Sequence, residues 1–306
     1  MIIPSVTNEY SLIKKVVLGI STDFGGCPTI SEAYDPKSKY HISNNTFPIE
    51  SDIKKELNTF KSILETYGIT VLRPNNIFNC NQVFARDVGF VVENKFFISN
   101  MIHKRSEEIL GFDLLLKEIN SSFIYEIPND IFVEGGDVLV HNDYLFVGYS
   151  EDSDFNNYEV ARTNKNVFSF FKSHFPEKNV IGFELNKSDH NQYDNCLHLD
   201  CCFQPLGMGH VILYPDGFKN KQDLDLITNI FGKENLIVID KKEMSDMFSN
   251  IFSISNNTIV SSIEFKRLNQ LLVSNGYIVE EIPFSEISKM GGLFRCTTLP
   301  LERQYE

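Results

Sequence analysis

Four short segments carry residue types that can do covalent chemistry, and they recur at regular places along the chain. They are Ala85-Arg86-Asp87, Glu134-Gly135-Gly136-Asp137, His198-Leu199-Asp200 and Gly291-Gly292-Leu293-Phe294-Arg295-Cys296. Asp87, His198 and Cys296 each stand 13 residues after the end of an apolar run, at Pro74, Leu185 and Pro283. Equivalent positions of a rotationally repeated fold converge on its axis, so the pattern predicts one shared pocket.

These residue types suit attack on the guanidinium carbon of arginine or a close relative. That carbon is a poor electrophile because three nitrogens share its charge, so attack needs a soft nucleophile and carboxylates that hold the planar cation. Cys296 is the predicted nucleophile, and Asp87 and Asp200 are the predicted guanidinium clamp. His198 would protonate the departing amine and later deprotonate water, and Glu134 would orient His198 and stabilise its protonated form.

Two neighbouring residues each have two interpretations. Asp137 is either a second clamp residue or the cap of its own turn. Arg295, directly before the nucleophile, is either part of a surface ion pair or a positive charge that lowers the pKa of Cys296. The sequence leaves both choices open.

The elements that must position these segments form an internal repeat. Five short apolar strands start about 40 to 60 residues apart, at 69–74, 123–128, 180–185, 236–240 and 277–283. Each follows a segment of helical periodicity, at 53–67, 106–120, 164–174, 221–231 and 262–274. Predicted hairpins lie at 88–99, 138–147, 202–214 and 251–261.

The repeat predicts an α/β fold, a five-bladed α/β-propeller of ββαβ units with pseudo-fivefold symmetry. The N-terminal strand at 15–19 would close the last unit, and residues 1–306 would form a single catalytic domain. The alternative is one open mixed α/β sheet.

Composition narrows the range of partners. The formal net charge of −13 and the lack of a Lys/Arg cluster argue against nucleic acid and anionic membranes, and favour a small cationic substrate. No apolar run approaches the roughly 18 residues of a membrane span, so we expect a cytoplasmic protein. The six cysteines contain no C-x-x-C pair, which predicts reduced thiols.

No metal or cofactor is expected. A zinc site would have to use Cys196, His198, Asp200, Cys201 and Cys202, but adjacent strand residues point to opposite faces and cannot all converge on one ion. The protein could form a homodimer, and the sequence does not decide this.

The ordered set of motifs resembles the guanidino-group-modifying superfamily, which contains arginine deiminases, dimethylarginine dimethylaminohydrolases and arginine:glycine amidinotransferases. The resemblance spans nearly the whole chain and rests on Asn8-Glu9-Tyr10, Val16-Val17-Leu18-Gly19, Phe84-Ala85-Arg86-Asp87, Glu134-Gly135-Gly136-Asp137, Gly148-Tyr149-Ser150 with Arg162-Thr163-Asn164, Leu197-His198-Leu199-Asp200, Gly291-Gly292 and Cys296-Thr297-Thr298.

The resemblance implies a five-bladed α/β-propeller and a covalent S-alkylthiouronium intermediate on Cys296. It gives His198, Glu134, Asp87 and Asp200 the roles described above. It also implies that two arginines, here Arg105 and Arg162, bind the carboxylate of the substrate.

The predicted function is hydrolysis, and two other functions are kept as alternatives. Hydrolysis would give a citrulline-type product plus ammonia or an alkylamine, whereas an amidinotransferase would pass the amidino group to an amine such as glycine. The other alternative is a propeller that binds without catalysis, against which the joint presence of Cys, His and Glu argues. Two long segments, 22–45 and 151–161, are predicted lids over the pocket.

Overall fold

The computed structural model describes residues 1–305, which contain fifteen short strands. The strands are β1 (Leu12–Leu18), β2 (Thr70–Leu72), β3 (Gly89–Val92), β4 (Lys95–Ile98), β5 (Ile124–Glu126), β6 (Val138–His141), β7 (Tyr144–Tyr149), β8 (Asn179–Glu184), β9 (Phe203–Pro205), β10 (Val211–Leu213), β11 (Leu236–Val238), β12 (Phe252–Ser255), β13 (Thr258–Ser262), β14 (Ile278–Ile282) and β15 (Thr298–Gln304).

These strands form five separate three-stranded sheets, in the orders β15-β1-β2, β3-β4-β5, β6-β7-β8, β9-β10-β11 and β12-β13-β14. In every sheet the middle strand pairs antiparallel with one neighbour and parallel with the other. Each of the four internal sheets is therefore a hairpin followed by a parallel third strand. The mixed α/β arrangement of five small sheets agrees with the predicted repeat, and the alternative of one open sheet is wrong.

The first strand has the place that the repeat assigned to it. β1 lies between β15 and β2, with Val17 opposite Leu299 on one side and Leu72 on the other. The sheet β15-β1-β2, which we call the fifth sheet, therefore joins the two ends of the described chain.

Ten α-helices and several 3-10 segments connect the strands. The α-helices are α1 (Pro36–Ser43), α2 (Glu50–Thr66), α3 (Ala85–Val88), α4 (Asp113–Glu118), α5 (Asp152–Asn157), α6 (Val167–His174), α7 (Gln222–Phe231), α8 (Lys241–Ser245), α9 (Lys266–Ser274) and α10 (Ser285–Ser288). The 3-10 segments are His103–Phe112, Ser121–Phe123, Gly135–Asp137, Gln192–Asp194, Leu199–Cys201, Gly207–Gly209, Pro215–Gly217 and Lys233–Asn235. None of the described helices combines the length and the apolar character that crossing a bilayer requires.

Helix α2 shows how a connecting helix supports the polar junctions, by which we mean the polar segments that lie between the third strand of one sheet and the hairpin of the next, such as 85–87 and 291–296. Its buried side chains include Ile53, Leu57, Phe60 and Leu64, a spacing that places them on one face. The Phe60 ring packs edge-to-face against three other phenylalanine rings, one of which is Phe294 at a centroid distance of 5.3 Å. Since Phe294 stands two residues before Cys296, this core contact fixes the turn that carries the predicted nucleophile.

One predicted helix differs in the structure. The segment expected to be helical at 106–120 is a 3-10 segment over His103–Phe112 followed by the short helix α4. Within it Arg105 and Glu108 are buried and charged, which a regular amphipathic surface helix would not require. A Cβ on Gly111 would lie 1.9 Å from Gln82 Nε2, so the segment is packed closely against the preceding loop.

Candidate active site

Hydrogen bonds link the polar junctions of all five sheets into a closed ring. Each junction donates to or accepts from the next one along the chain, and the last returns to the first. The five links are Gly136 N to Asp87 Oδ1 (3.1 Å), Leu199 N to Asp137 Oδ1 (2.9 Å), Ser249 Oγ to the Asp200 carbonyl (2.7 Å), Cys296 N to Asn250 Oδ1 (3.1 Å) and Arg86 N to the Cys296 carbonyl (3.0 Å). The ring brings Cys296, His198, Glu134, Asp87 and Asp200 into one region, as the repeat predicted.

Cys296 is buried beside the Asn250 amide and the Asp200 carboxylate. Asn250 Nδ2 donates to its Sγ at 3.1 Å, and Asp200 Oδ2 lies 3.8 Å from the same sulfur. Burial, followed by the charges of Asp200 and Asp87, raises the pKa of the Cys296 thiol well above its usual range. A guanidinium cation bound between those carboxylates would offset their charge and favour the thiolate.

His198 is held by Glu134 through one ring nitrogen. His198 Nε2 lies 2.8 Å from Glu134 Oε2, and Nδ1 lies 3.9 Å from Asp87 Oδ1. Burial opposes protonation of the imidazole, but Asp87, Glu134 and Asp137 outweigh it and raise the pKa of His198. The Nε2 contact orients the ring, so Nδ1 is the atom that can exchange a proton with a group held at Asp87.

Glu134 is ionised despite complete burial. Burial would raise the pKa of this carboxyl, but Arg162, His198 and Arg105 together lower it below its usual range. Its Oε1 and Oε2 accept from Arg162 Nη1 at 3.3 and 3.2 Å. Glu134 therefore bridges the imidazole and a guanidinium group of the chain itself.

The two predicted carboxylate-binding arginines lie in what we call the outer arginine cluster, which consists of Arg105, Arg162, Asp87, Glu108 and Glu134. Arg105 donates from Nη1 to Asp87 Oδ2 at 2.7 Å, and from Nε and Nη2 to both oxygens of Glu108 at 2.7 and 2.8 Å. Arg162 reaches Glu134 even though residues 151–161 separate it from the Gly148-Tyr149-Ser150 motif. Both guanidinium groups are thus already paired with carboxylates of the chain.

The segment at 22–45, predicted as a lid, covers the outer arginine cluster. The Tyr34 ring centroid lies 5.8 Å from the guanidinium carbon of Arg105 and 5.4 Å from that of Arg162, and the Tyr34 carbonyl accepts from Arg162 Nη2 at 2.9 Å. Lys39 of this segment pairs with Glu159 of the second predicted lid at 3.2 Å. The two segments are therefore joined above the site.

Asp137 uses its carboxylate to bind two other segments of the chain. Its Oδ1 accepts from Leu199 N at 2.9 Å, and its Oδ2 accepts from Thr163 Oγ1 at 2.7 Å. Beside it, a Cβ on Gly136 would lie 2.6 Å from His198 Nδ1, so only glycine lets the imidazole pack there. Both carboxylate oxygens thus accept from groups of the chain outside the Gly135–Asp137 turn, and neither contact caps that turn.

Arg295 lies in a second group, the inner arginine cluster, which consists of Arg295, Glu9 and Asp200. Its side chain is only 1% exposed, so the interpretation as a surface ion pair is wrong. Arg295 Nη1 donates to Asp200 Oδ2 at 2.8 Å, while Nε and Nη2 donate to the two oxygens of Glu9, each at 3.2 Å. Asp200, which the sequence predicts as a clamp residue, is therefore also paired with an arginine of the chain.

One group of three side chains in residues 1–305 has metal-ligand geometry. Asp87, Glu134 and His198 offer ligand atoms that all lie within 4.8 Å of one another. The two carboxylates in this group already accept from Arg105 and Arg162, which supply the positive charge that an ion would bring. The cysteine-containing zinc set considered from the sequence is not the group that the fold brings together.

Several residues in this region were not predicted from the sequence, among them Asn250, Glu9 and Glu108. Asn250 stands directly before the fourth hairpin, as Asp87 and Asp137 stand before the first two. That position was the available signal. Glu9 belongs to one of the quoted motifs, but its partner Arg295 is 286 residues away.

Comparison with known proteins identifies the family. The sequence model of the family described as "N,N dimethylarginine dimethylhydrolase, eukaryotic" matches residues 33–303. The chain belongs to this family. The match places it in the guanidino-group-modifying superfamily, as the motifs indicated.

Relatives and solved structures agree with this placement. The chain is 27% identical to the uncharacterized protein YkgA of Bacillus subtilis (strain 168) over 96% of this chain and 94% of that protein. It is 25% identical to the bifunctional arginine dihydrolase/ornithine cyclodeaminase ArgZ of Synechocystis over 72% of this chain and 29% of that protein. The match to this chain therefore covers less than a third of the length of ArgZ.

Two solved structures share the fold. The N-terminal domain of ArgZ, solved with a covalently bound reaction intermediate, superposes with a TM-score of 0.77 at 20% identity and covers 94% of this chain and 98% of that domain. The inosamine-phosphate amidinotransferase STRB1 of Streptomyces griseus superposes with a TM-score of 0.78 at 16% identity and covers 100% of this chain and 98% of its own. Hydrolases and amidinotransferases thus both use this architecture.

Proposed function

We propose that the protein is a hydrolase that acts on the guanidino group of arginine or of a methylated or otherwise substituted arginine. The observation that carries the proposal is the arrangement around Cys296. Its sulfur lies beside the clamp residue Asp200, while the His198–Glu134 pair and Asp87 lie in the same buried region. In this proposal the five sheets are blades around the hydrogen-bonded ring, and residues 1–306 act as one catalytic domain.

Substrate binding would begin at the carboxylates. A guanidinium group would be held by Asp87 and Asp200 through lone pairs that Arg105 and Arg295 leave free, since each carboxylate can accept about four hydrogen bonds. The bound cation would offset the charges that disfavour the Cys296 thiolate. Arg105 and Arg162 would bind the substrate carboxylate. That carboxylate would replace Glu108 at some of the N–H groups of Arg105, or Glu134 at some of the N–H groups of Arg162.

The chemistry would proceed in two displacements. The Cys296 thiolate adds to the guanidinium carbon, and the departing nitrogen takes a proton from His198 as its C–N bond breaks. Ammonia or an alkylamine leaves, and an S-alkylthiouronium group remains on Cys296. A water molecule then loses a proton to His198 and its oxygen adds to the same carbon. The C–S bond breaks and the new hydroxyl group gives its proton to solvent, which releases a citrulline-type product and restores the thiolate and the protonated imidazole.

The second candidate function is amidino transfer, in which an amine takes the place of water. The common first half-reaction and the shared architecture with an amidinotransferase favour keeping it. The two functions differ only in which nucleophile reaches the thiouronium carbon.

The test is incubation of the purified protein with arginine, methylated arginines, agmatine and guanidino acids, each with and without glycine, followed by mass spectrometry. Hydrolysis predicts a ureido product without glycine, whereas a guanidinoacetate product formed only with glycine would overturn the hydrolase proposal. Cys296→Ser should lower kcat by about 10⁴-fold or more, the scale seen when a covalent nucleophile is lost. Full turnover by Cys296→Ser on every compound would reject the nucleophile.

A further inference from the structure

The contacts of Arg295 extend from the nucleophile turn to three other parts of the chain. Besides Asp200 and Glu9, the guanidinium donates from Nη2 to the Val138 carbonyl at 2.8 Å. Val138 follows the Glu134-Gly135-Gly136-Asp137 junction, and Glu9 belongs to the N-terminal segment. Arg295 therefore uses its planar fork to join elements that are far apart in sequence.

Glu9 supplies a fixed charge on the far side of Arg295. Burial would raise its pKa, but Arg295 and Arg86 outweigh that and bring the pKa of Glu9 down to about 2. Glu9 Oε1 also accepts from Val140 N at 3.4 Å. The carboxylate is therefore ionised and held in place at neutral pH.

Asp200 lies between this pair and the sulfur. The oxygen that accepts from Arg295 is Oδ2, the same atom that lies 3.8 Å from Cys296 Sγ. An unpaired carboxylate at that distance would oppose thiolate formation and would be costly to bury. Arg295 therefore shares its positive charge between Glu9 and Asp200, and the buried Arg86 adds a second positive charge that acts on both carboxylates.

We infer that Arg295, anchored by Glu9, is a positioning residue that orients Asp200 and offsets its charge beside Cys296. This inference rests on the proposed role of Cys296 as the nucleophile. Among charged side chains Asp200 has the largest effect on Cys296, and Arg295 donates to the Asp200 oxygen that lies nearest the sulfur, so Arg295 acts through Asp200. Arg295 sets how readily the thiolate forms without touching the substrate.

The test measures Cys296 alkylation by iodoacetamide, a neutral reagent, as a function of pH. It uses the full chain in a Cys27→Ser background, because the exposed Cys27 would compete for the reagent. Peptide mass spectrometry follows the modified site. Arg295→Gln should move the midpoint of the alkylation profile to higher pH and lower the rate at pH 7 about tenfold, because Asp200 loses its counter-charge.

Glu9→Gln should move the midpoint in the opposite direction, since the positive charge of Arg295 is then shared with fewer carboxylates. Arg295→Lys should lie between wild type and Arg295→Gln because it keeps the charge without the fork. The matched control is Arg73→Lys, a partly buried arginine whose Nη1 contacts the Gly19 carbonyl. It should leave the midpoint unchanged.

If Arg295 and Glu9 had only a structural role, Arg295→Gln and Glu9→Gln would both lower the thermal stability and the extent of Cys296 alkylation, and their alkylation midpoints would not move in opposite directions. The inference is overturned if Arg295→Gln and Glu9→Gln keep the wild-type midpoint or move it in the same direction. If Arg295→Gln does not fold, Glu9→Gln and Arg295→Lys still give the two signs. Alkylation does not require turnover, so an inactive protein with the expected shifts would reject the proposed hydrolysis and leave the inference standing.

Discussion

The outer and inner arginine clusters are built from the same chemical groups but are covered by different parts of the chain. Tyr34 lies over the outer cluster, and its segment is tied to the neighbouring one by the partly exposed Lys39–Glu159 pair. The inner cluster is enclosed by the N-terminal segment that carries Glu9, the β6 backbone and the turn that carries Cys296. An arginine under a surface segment can exchange its partner for a substrate group, whereas one fixed among core elements can only set the charge and orientation of its neighbours.

The largest expected difference between the clusters concerns His198. Glu134→Gln should lower kcat by about 10³- to 10⁴-fold, because the imidazole loses the carboxylate that orients it and stabilises its protonated form. Glu9→Gln, which removes a buried carboxylate from the inner cluster, should lower kcat less than about tenfold. Steady-state kinetics on the preferred guanidino substrate measures both. Equal losses in kcat would mean that the two clusters do not have separate roles.

A smaller effect is expected at the fork of Arg105. Glu108→Gln weakens the internal pair that occupies Nε and Nη2, so a carboxylate-bearing substrate should compete more easily. We expect KM for arginine to fall about tenfold relative to KM for agmatine, with kcat little changed. Glu107→Gln, at the exposed neighbouring position, is the control. An equal change in both KM values would remove Arg105 from carboxylate recognition.

The smallest expected effect is on the free energy of unfolding. Its pH dependence distinguishes His198, which contacts Glu134 of the outer cluster, from Glu9 of the inner cluster. The raised pKa of His198 gives stability that is present below its unfolded value near 6.5 and is lost as pH rises through the folded value. The pKa of Glu9, lowered from 4.5 to about 2, gives stability that is present above 4.5 and is lost as pH falls toward 2. Each group contributes at most about 1.4 kcal/mol per pH unit to the free energy of unfolding.

Urea unfolding at a series of pH values measures these contributions. His198→Asn should flatten the alkaline side of the stability profile, and Glu9→Gln should flatten the acid side. If His198→Asn changes only the acid side, the direction assigned to the pKa of His198 is wrong.

The repeat could be predicted from the sequence because its signals are local. Alternating apolar runs and turn residues define the hairpins, and β6, β7, β12 and β13 fall within two residues of the predicted bounds. The spacing from strand end to Asp87, His198 and Cys296 then indicated which residues meet. The coarse fold, a mixed α/β arrangement with five small sheets, is confirmed, whereas the catalytic roles stay predictions.

The remaining features depend on contacts that sequence spacing does not encode. Arg295 could not be assigned because its carboxylate partners, Glu9 and Asp200, are 286 and 95 residues away. The helix predicted at 106–120 failed because Arg105 and Glu108 turn inward to form an ion pair, and this overrides the local periodicity. Asn250 was within reach, since its place before a hairpin matched that of Asp87.

The pairing of β15 with β1 has a consequence for the order in which the protein can become active during synthesis. Cys296 stands two residues before β15, and Val17 pairs with Leu299 across 282 positions of the chain. Contacts of such long range form late and slowly in folding. A nascent chain that has already built the other four sheets still lacks Cys296, so under the proposed mechanism it stays inactive until the sheet β15-β1-β2 closes.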